Sequence, residues 1–212
     1  MSELPSSWFD DAVFLGDSVS KALESYCEQT GALGDAVFLC EISFSVRNAV
    51  YERVELWYQG QSGRADDIVA LTGARKVFLM LGTNDVAMDG GVEGTVRLWR
   101  VLVNMIREKN PGAVFFVESC LPMYGEAQME ELNNDTLDEY NQALRAYCQE
   151  ANCVFVDIAD AFKDEDNALA EEYSSDHYVH LKTEAGELWA QLLRDPSNYS
   201  VDPRSLKYEN AP

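Results

Sequence analysis

Only two imidazoles occur in this chain, His177 and His180, and both stand in one short stretch, "SSDHYVHL", with Asp176 beside them. An imidazole and a carboxylate in one loop are what a serine nucleophile requires. The imidazole takes the hydroxyl proton; the acid fixes the ring tautomer and stabilises the imidazolium. The candidate serine is Ser18 in "FLGDSVS", where an apolar run stops at Gly16-Asp17-Ser18. Ser18 has two readings: the N-cap of a following helix, or a nucleophile held at the end of a strand. The loop has a second reading as well. Asp176, His177 and His180 are metal-ligand types at close spacing, which leaves a metal-dependent hydrolase as an alternative. No further ligand cluster accompanies them, so no metal is expected.

"LGTND" is the other chemistry-bearing segment. Gly82 permits a tight turn after an apolar run, and Asn84 presents a side-chain amide. Turn chemistry explains such residues locally. Alternatively the amide is an oxyanion donor, and losing one such donor typically costs about 3 kcal/mol of barrier.

These segments need a scaffold, and the apolar pattern supplies one. Strands are expected at 12–15, 36–39, 54–58, 77–81, 113–117 and 154–158. Helices are expected around 22–26, 92–107, 137–150 and 183–193, the last with Thr183 as candidate N-cap. Continuously apolar strands are covered on both faces. Their alternation with helices reads as βαβ units. The expectation is therefore α/β: a single three-layer α/β/α domain over residues 1–194, with a doubly wound, mostly parallel five-stranded sheet of flavodoxin-like order. A polar, proline-punctuated tail follows over residues 195–212. In such sheets ligands bind beyond the carboxyl ends of the strands, which is where Ser18 and Asn84 fall.

Composition narrows the partners. With 16 Lys+Arg against 37 Asp+Glu the formal charge is −21, which repels phosphate backbones and anionic lipid. Neither nucleic acid nor a membrane surface is expected as a partner. The five cysteines, Cys27, Cys40, Cys120, Cys148 and Cys153, are odd in number and form no C-x-x-C pair. With no leader-like N-terminus and no apolar span, they point to a reduced, cytoplasmic setting.

Taken together and in order, the segments resemble the SGNH (GDSL-type) hydrolases over roughly residues 11–194. Gly16-Asp17-Ser18 matches the first block, Gly82-Thr83-Asn84-Asp85 the G-x-N-D block, and His180 before the last helix the final block. The resemblance implies that Ser18 is the nucleophile, His180 the base and Asp176 the acid. The oxyanion hole would comprise the backbone N–H groups of Ser18 and Ser45 with the side chain of Asn84. Gly16, Asp17, Gly82 and Asp85 would be structural support. Two departures stand out. The family's acid lies three residues before the histidine, whereas Asp176 lies four before His180, so the loop must bulge by one residue. A Ser18–His180 dyad oriented by a backbone carbonyl is the alternative. The family's second-block glycine also has no clear match, and Ser45 is the nearest occupant.

The implied chemistry is two-step acyl transfer without a cofactor, on a small-molecule ester. The rim segments 85–92 and 121–135 are acidic or polar, with Met88, Met123, Tyr124 and Met129 as apolar elements that could line an acyl or sugar pocket. Neutral small esters or acylated carbohydrates therefore suit the site better than anionic substrates. A catalytically inactive binding module on the same fold is the competing reading.

Overall fold

The continuously apolar runs become fully buried strands. β1 (Ala12–Gly16) and β5 (Lys76–Met80) are buried at every position. With β2 (Val37–Cys40), β6 (Val114–Glu118) and β7 (Val154–Val156) they form one parallel sheet in the order β2-β1-β5-β6-β7. The computed structural model describes residues 2–207. The register aligns Phe38, Phe14, Phe78 and Phe116 across four strands. Their rings stack with centroids 4.9, 4.5 and 4.5 Å apart. Such a row fixes register, because a one-residue slip would turn every ring to the opposite face.

Helices cover both faces. α1 (Lys21–Thr30) and α6 (Ala185–Arg194) pack together on one side. On the other lie α3 (Ala65–Thr72), α4 (Gly91–Lys109) and α5 (Asn134–Ala151), each beside the next, and the five-residue α2 (Val46–Val50) rests on α4. The expected three-layer architecture and strand order are present.

Three details add to or differ from the sequence reading. The strand expected within 54–58 is present as β3 (Leu56–Tyr58), outside the main sheet; among the described residues it pairs only with β4 (Gln61–Gly63). Gln59 and Gly60 both have positive φ, 48° and 80°, the tight turn that folds a hairpin back on itself. Trp57 is left exposed. Thr183 is not the cap of α6. The helix starts at Ala185 after a tighter turn in which the Ala185 and Gly186 amides donate to Lys182 O and Thr183 O. Finally, α2 and α3 fall where the apolar spacing suggests no helix.

The segment after Arg194 runs along the β7 edge. Tyr199 bridges Val156 antiparallel, Ser200 N–H donates to Phe155 O, and Asp157 N–H donates to Asn198 O. Of the expected tail 195–212, residues 208–212 lie outside the described residues. Among the described residues, no helix is long and apolar enough to cross a membrane.

Candidate active site

The chain leaves β1 at Gly16 and turns before α1 begins. Asp17 organises this turn: its Oδ1 accepts the Val19 N–H at 2.9 Å, and its carbonyl accepts from Ser20. The N-cap position of α1 is Ser20, with no side-chain capping bond. Ser18 is therefore not the helix cap. Its half-buried hydroxyl lies 2.9 Å from His180 Nε2.

The other ring nitrogen, Nδ1, lies 2.5 Å from Asp176 Oδ2. With Nδ1–H donated to the carboxylate, Nε2 is left to accept the Ser18 proton. Asp176 spans its four residues because the loop folds around it. Its Oδ1 accepts the Tyr178 and His180 amides at 2.8 and 3.2 Å. The added residue is taken up by His177, whose φ of 54° is left-handed. The loop base is closed by the Ser174–Leu181 bridge and by Ser175 N–H on His180 O. Burial pushes the Asp176 carboxyl up, but hydrogen bonds from the His180 ring and the two amides outweigh it and hold the group below the usual carboxylate range. The carboxylate and imidazole side chains are 36% and 38% exposed, so the pair is reachable from solvent.

Helix packing sets this loop over Ser18. Gly186, in the first turn of α6, lies against α1, where an added Cβ would sit 2.4 Å from Tyr26 Cβ. No larger residue lets the two helices approach so closely.

Asn84 follows β5 at the same sheet edge. Gly82 there has φ 141°, and a Cβ would fall 2.1 Å from the Tyr140 ring, whose hydroxyl donates to Leu81 O at 2.8 Å. The Asn84 amide nitrogen donates to Asp17 Oδ2 at 3.1 Å and to Phe44 O at 3.0 Å. It is thus tied to the residue preceding Ser18, with both amide hydrogens engaged. Asp17 is buried, and burial raises it to about 7 against the pull of the Val19 N–H and of His180, with the nearby Asp85 charge adding to the rise. Asp85 is fully buried and caps α2 through the Val46 and Arg47 amides at 2.9 and 3.0 Å. Burial also raises Asp85, offset in part by those amides.

The Phe44 carbonyl that accepts from Asn84 immediately precedes Ser45. Ser45 is the extended N-cap of α2, its hydroxyl accepting from Asn48 N–H at 3.0 Å. His177 Nε2 faces Glu171 while His180 faces Asp176 and Ser18, so the two imidazoles do not converge. Among the described residues no group of three His, Cys, Asp or Glu side chains is arranged to hold a metal ion. Of the rim candidates, Met123 is fully buried, Met88 and Met129 are exposed, and the half-buried Tyr124 donates its hydroxyl to Glu171.

Two participants were not legible. Phe44 contributes a carbonyl, which no side-chain pattern reveals. Glu171 is one acid among many in "DEDNALAEEYSSD".

Residues 14–187 match the model of the GDSL-like lipase/acylhydrolase family. The chain belongs to that family. Members of the GDSL-like family recur among similar solved structures. A GDSL-like lipase from Bacteroides thetaiotaomicron is 16% identical with TM-score 0.64, covering 89% of this chain and 88% of that one. The catalytic domain of peptidoglycan O-acetyltransferase A from Streptococcus pneumoniae, solved with a methylsulfonyl adduct, is 14% identical with TM-score 0.60 (91% and 92% covered). An acetylxylan esterase from Geobacillus stearothermophilus, solved as a catalytic mutant, is 17% identical with TM-score 0.60 (85% and 90% covered). At these identities the likeness is one of fold. No curated protein sequence matches the chain. Family and fold together make this GDSL-like chain an SGNH-type hydrolase.

Proposed function

We propose that this hydrolase is a serine esterase that removes small acyl groups, acetyl among them, from neutral alcohols such as carbohydrate hydroxyls. Ser18 Oγ attacks the ester carbonyl while His180 Nε2 takes its proton, and Asp176 stabilises the imidazolium. His180 then protonates the departing alkoxide. Water, deprotonated by the same nitrogen, attacks the acyl-enzyme, and Ser18 regains its proton as the acid leaves. The Ser18 backbone N–H and the Asn84 amide receive the oxyanion, Asn84 exchanging its bond to Phe44 O for the new oxygen. The Ser45 backbone N–H is the third donor in this scheme.

The observation carrying the reading is the unbroken hydrogen-bonded path from Ser18 Oγ to His180, 2.9 Å, and from His180 to Asp176, 2.5 Å. The substrate class follows from charge and from proteins of the same fold. A net charge of −21 disfavours anionic substrates, and two proteins of the same fold are named for acetyl esters or acetyl transfer on polysaccharides. Five buried thiols, pushed up by burial where they shift, suit a reducing, cytoplasmic setting.

A panel of acetyl, butyryl and octanoyl p-nitrophenyl esters and acetylated sugars tests the substrate reading. Turnover is expected to fall with acyl length and to persist on acetylated sugars. Preference for the octanoyl ester, or indifference to acetylated sugars, contradicts it. Failure of a fluorophosphonate to label the folded protein would favour a binding module.

A further inference from the structure

The Asp176–His180 pair depends on a backbone conformation that is costly for its residue. His177, between them, is left-handed at φ 54°, a conformation that crowds Cβ against the following carbonyl in a non-glycine residue. Its amide donates to Ser174 Oγ at 2.9 Å. If the His177 peptide relaxed, Asp176 would swing with it and leave the His180 ring.

A cluster outside the reacting groups grips that residue. The His177 ring directs Nε2 at Glu171 Oε1, 3.0 Å away, and Glu171 Oε2 accepts the Tyr124 hydroxyl. The Tyr124 and His177 rings lie 4.8 Å apart. The Tyr124 amide donates to Tyr178 O at 2.7 Å, joining the loop after β6 to the histidine loop. Lys182 holds the Glu171 carbonyl at 3.1 Å. The cluster thus ties three stretches of chain around the left-handed residue. Its His177 and Glu171 side chains are 62% and 70% exposed, so they add little to the core and can be altered without opening it.

We propose that Tyr124, Glu171 and His177 form a clamp that positions Asp176 against His180. They are positioning residues: each acts through the loop backbone, and none reaches the reacting atoms. The inference rests on the serine-esterase reading above.

The test is a double-mutant cycle on the full chain with a short-chain p-nitrophenyl ester, using Glu171→Ala, His177→Asn and their combination, with Tyr124→Phe alongside. Asparagine tolerates the left-handed conformation, so His177→Asn removes the tie and keeps the turn. Each variant is expected to melt as wild type and to lose about tenfold in kcat, with KM little changed. The combination should be no worse than the poorer single, since both break one unit. The downfield proton resonance of His180 Nδ1–H should broaden or move upfield in each. Unchanged kcat with the resonance in place, or losses that multiply, overturn the clamp. Ser18→Ala in the same series separates the two ideas. An active Ser18→Ala sinks the esterase reading itself, whereas an inactive one beside wild-type clamp variants sinks the clamp alone.

Discussion

Ser18 owes its direction to its neighbours. Asp17 fixes the turn with one carboxylate oxygen and holds Asn84 with the other, which leaves the Ser18 hydroxyl free to meet His180. The types and order of these residues were readable in the sequence because each is chemically scarce or sits at a strand end: two histidines in all, one G-x-N-D, and the first serine after the first apolar run. The reach of Asp176 was not readable, because it depends on the left-handed φ of His177. Asp176→Asn is expected to lower kcat by about 10³–10⁴-fold, close to the loss in His180→Ala, because an amide at 176 favours the wrong ring tautomer. Steady-state kinetics of both variants decide it. A loss at Asp176 far smaller than at His180 would mean that a backbone group orients the ring.

The elements hold the site through close approaches at a few glycines. α6 delivers the histidine loop, and its contact with α1 depends on Gly186. Gly186→Ala should therefore cost about 1–3 kcal/mol through overpacking against Tyr26, and lower kcat by shifting the loop off Ser18. Chemical denaturation and kinetics check the two effects; wild-type stability and rate would show that the helices have slack. Strands and long helices were legible because apolar runs and helical spacing persist over enough residues to stand out. The strand within 54–58 was legible, but its hairpin partner β4, three residues long, was not. "VELWY" has strand composition, yet the Gln59-Gly60 turn returns the chain before it can reach the sheet. α2, at five residues, is too short for any periodicity to register.

At the scale of the molecule, the sheet buries one acid that the chemistry does not use. Glu118 closes β6, fully buried, accepting the Trp189 indole N–H at 2.8 Å, and burial pushes it up to about 7 against that bond. Its ordinary value is 4.5, so between these two pH values the native state binds the extra proton and stability falls as pH rises. Below 4.5 both states are protonated; above 7 the loss has levels off. Glu118→Gln should remove this dependence, gaining on the order of 3 kcal/mol over wild type at pH 8 and little at pH 4. Urea melts at both values test it; an equal difference at the two would mean that the group titrates normally. Such a residue was partly visible, as a charge ending a continuous apolar run. The course of the chain after Arg194 was visible only as polarity, since its pairing with β7 runs through backbone and Tyr199.

The central claim is that Ser18 is the group that forms the covalent acyl bond. Mass spectrometry of the intact chain after a fluorophosphonate, followed by peptide mapping, tests it most directly. One adduct is predicted, on Ser18, with hydrolysis of p-nitrophenyl acetate lost in step with labelling and both absent in Ser18→Ala. Hydrolysis that survives complete labelling, or that persists in Ser18→Ala, contradicts the account.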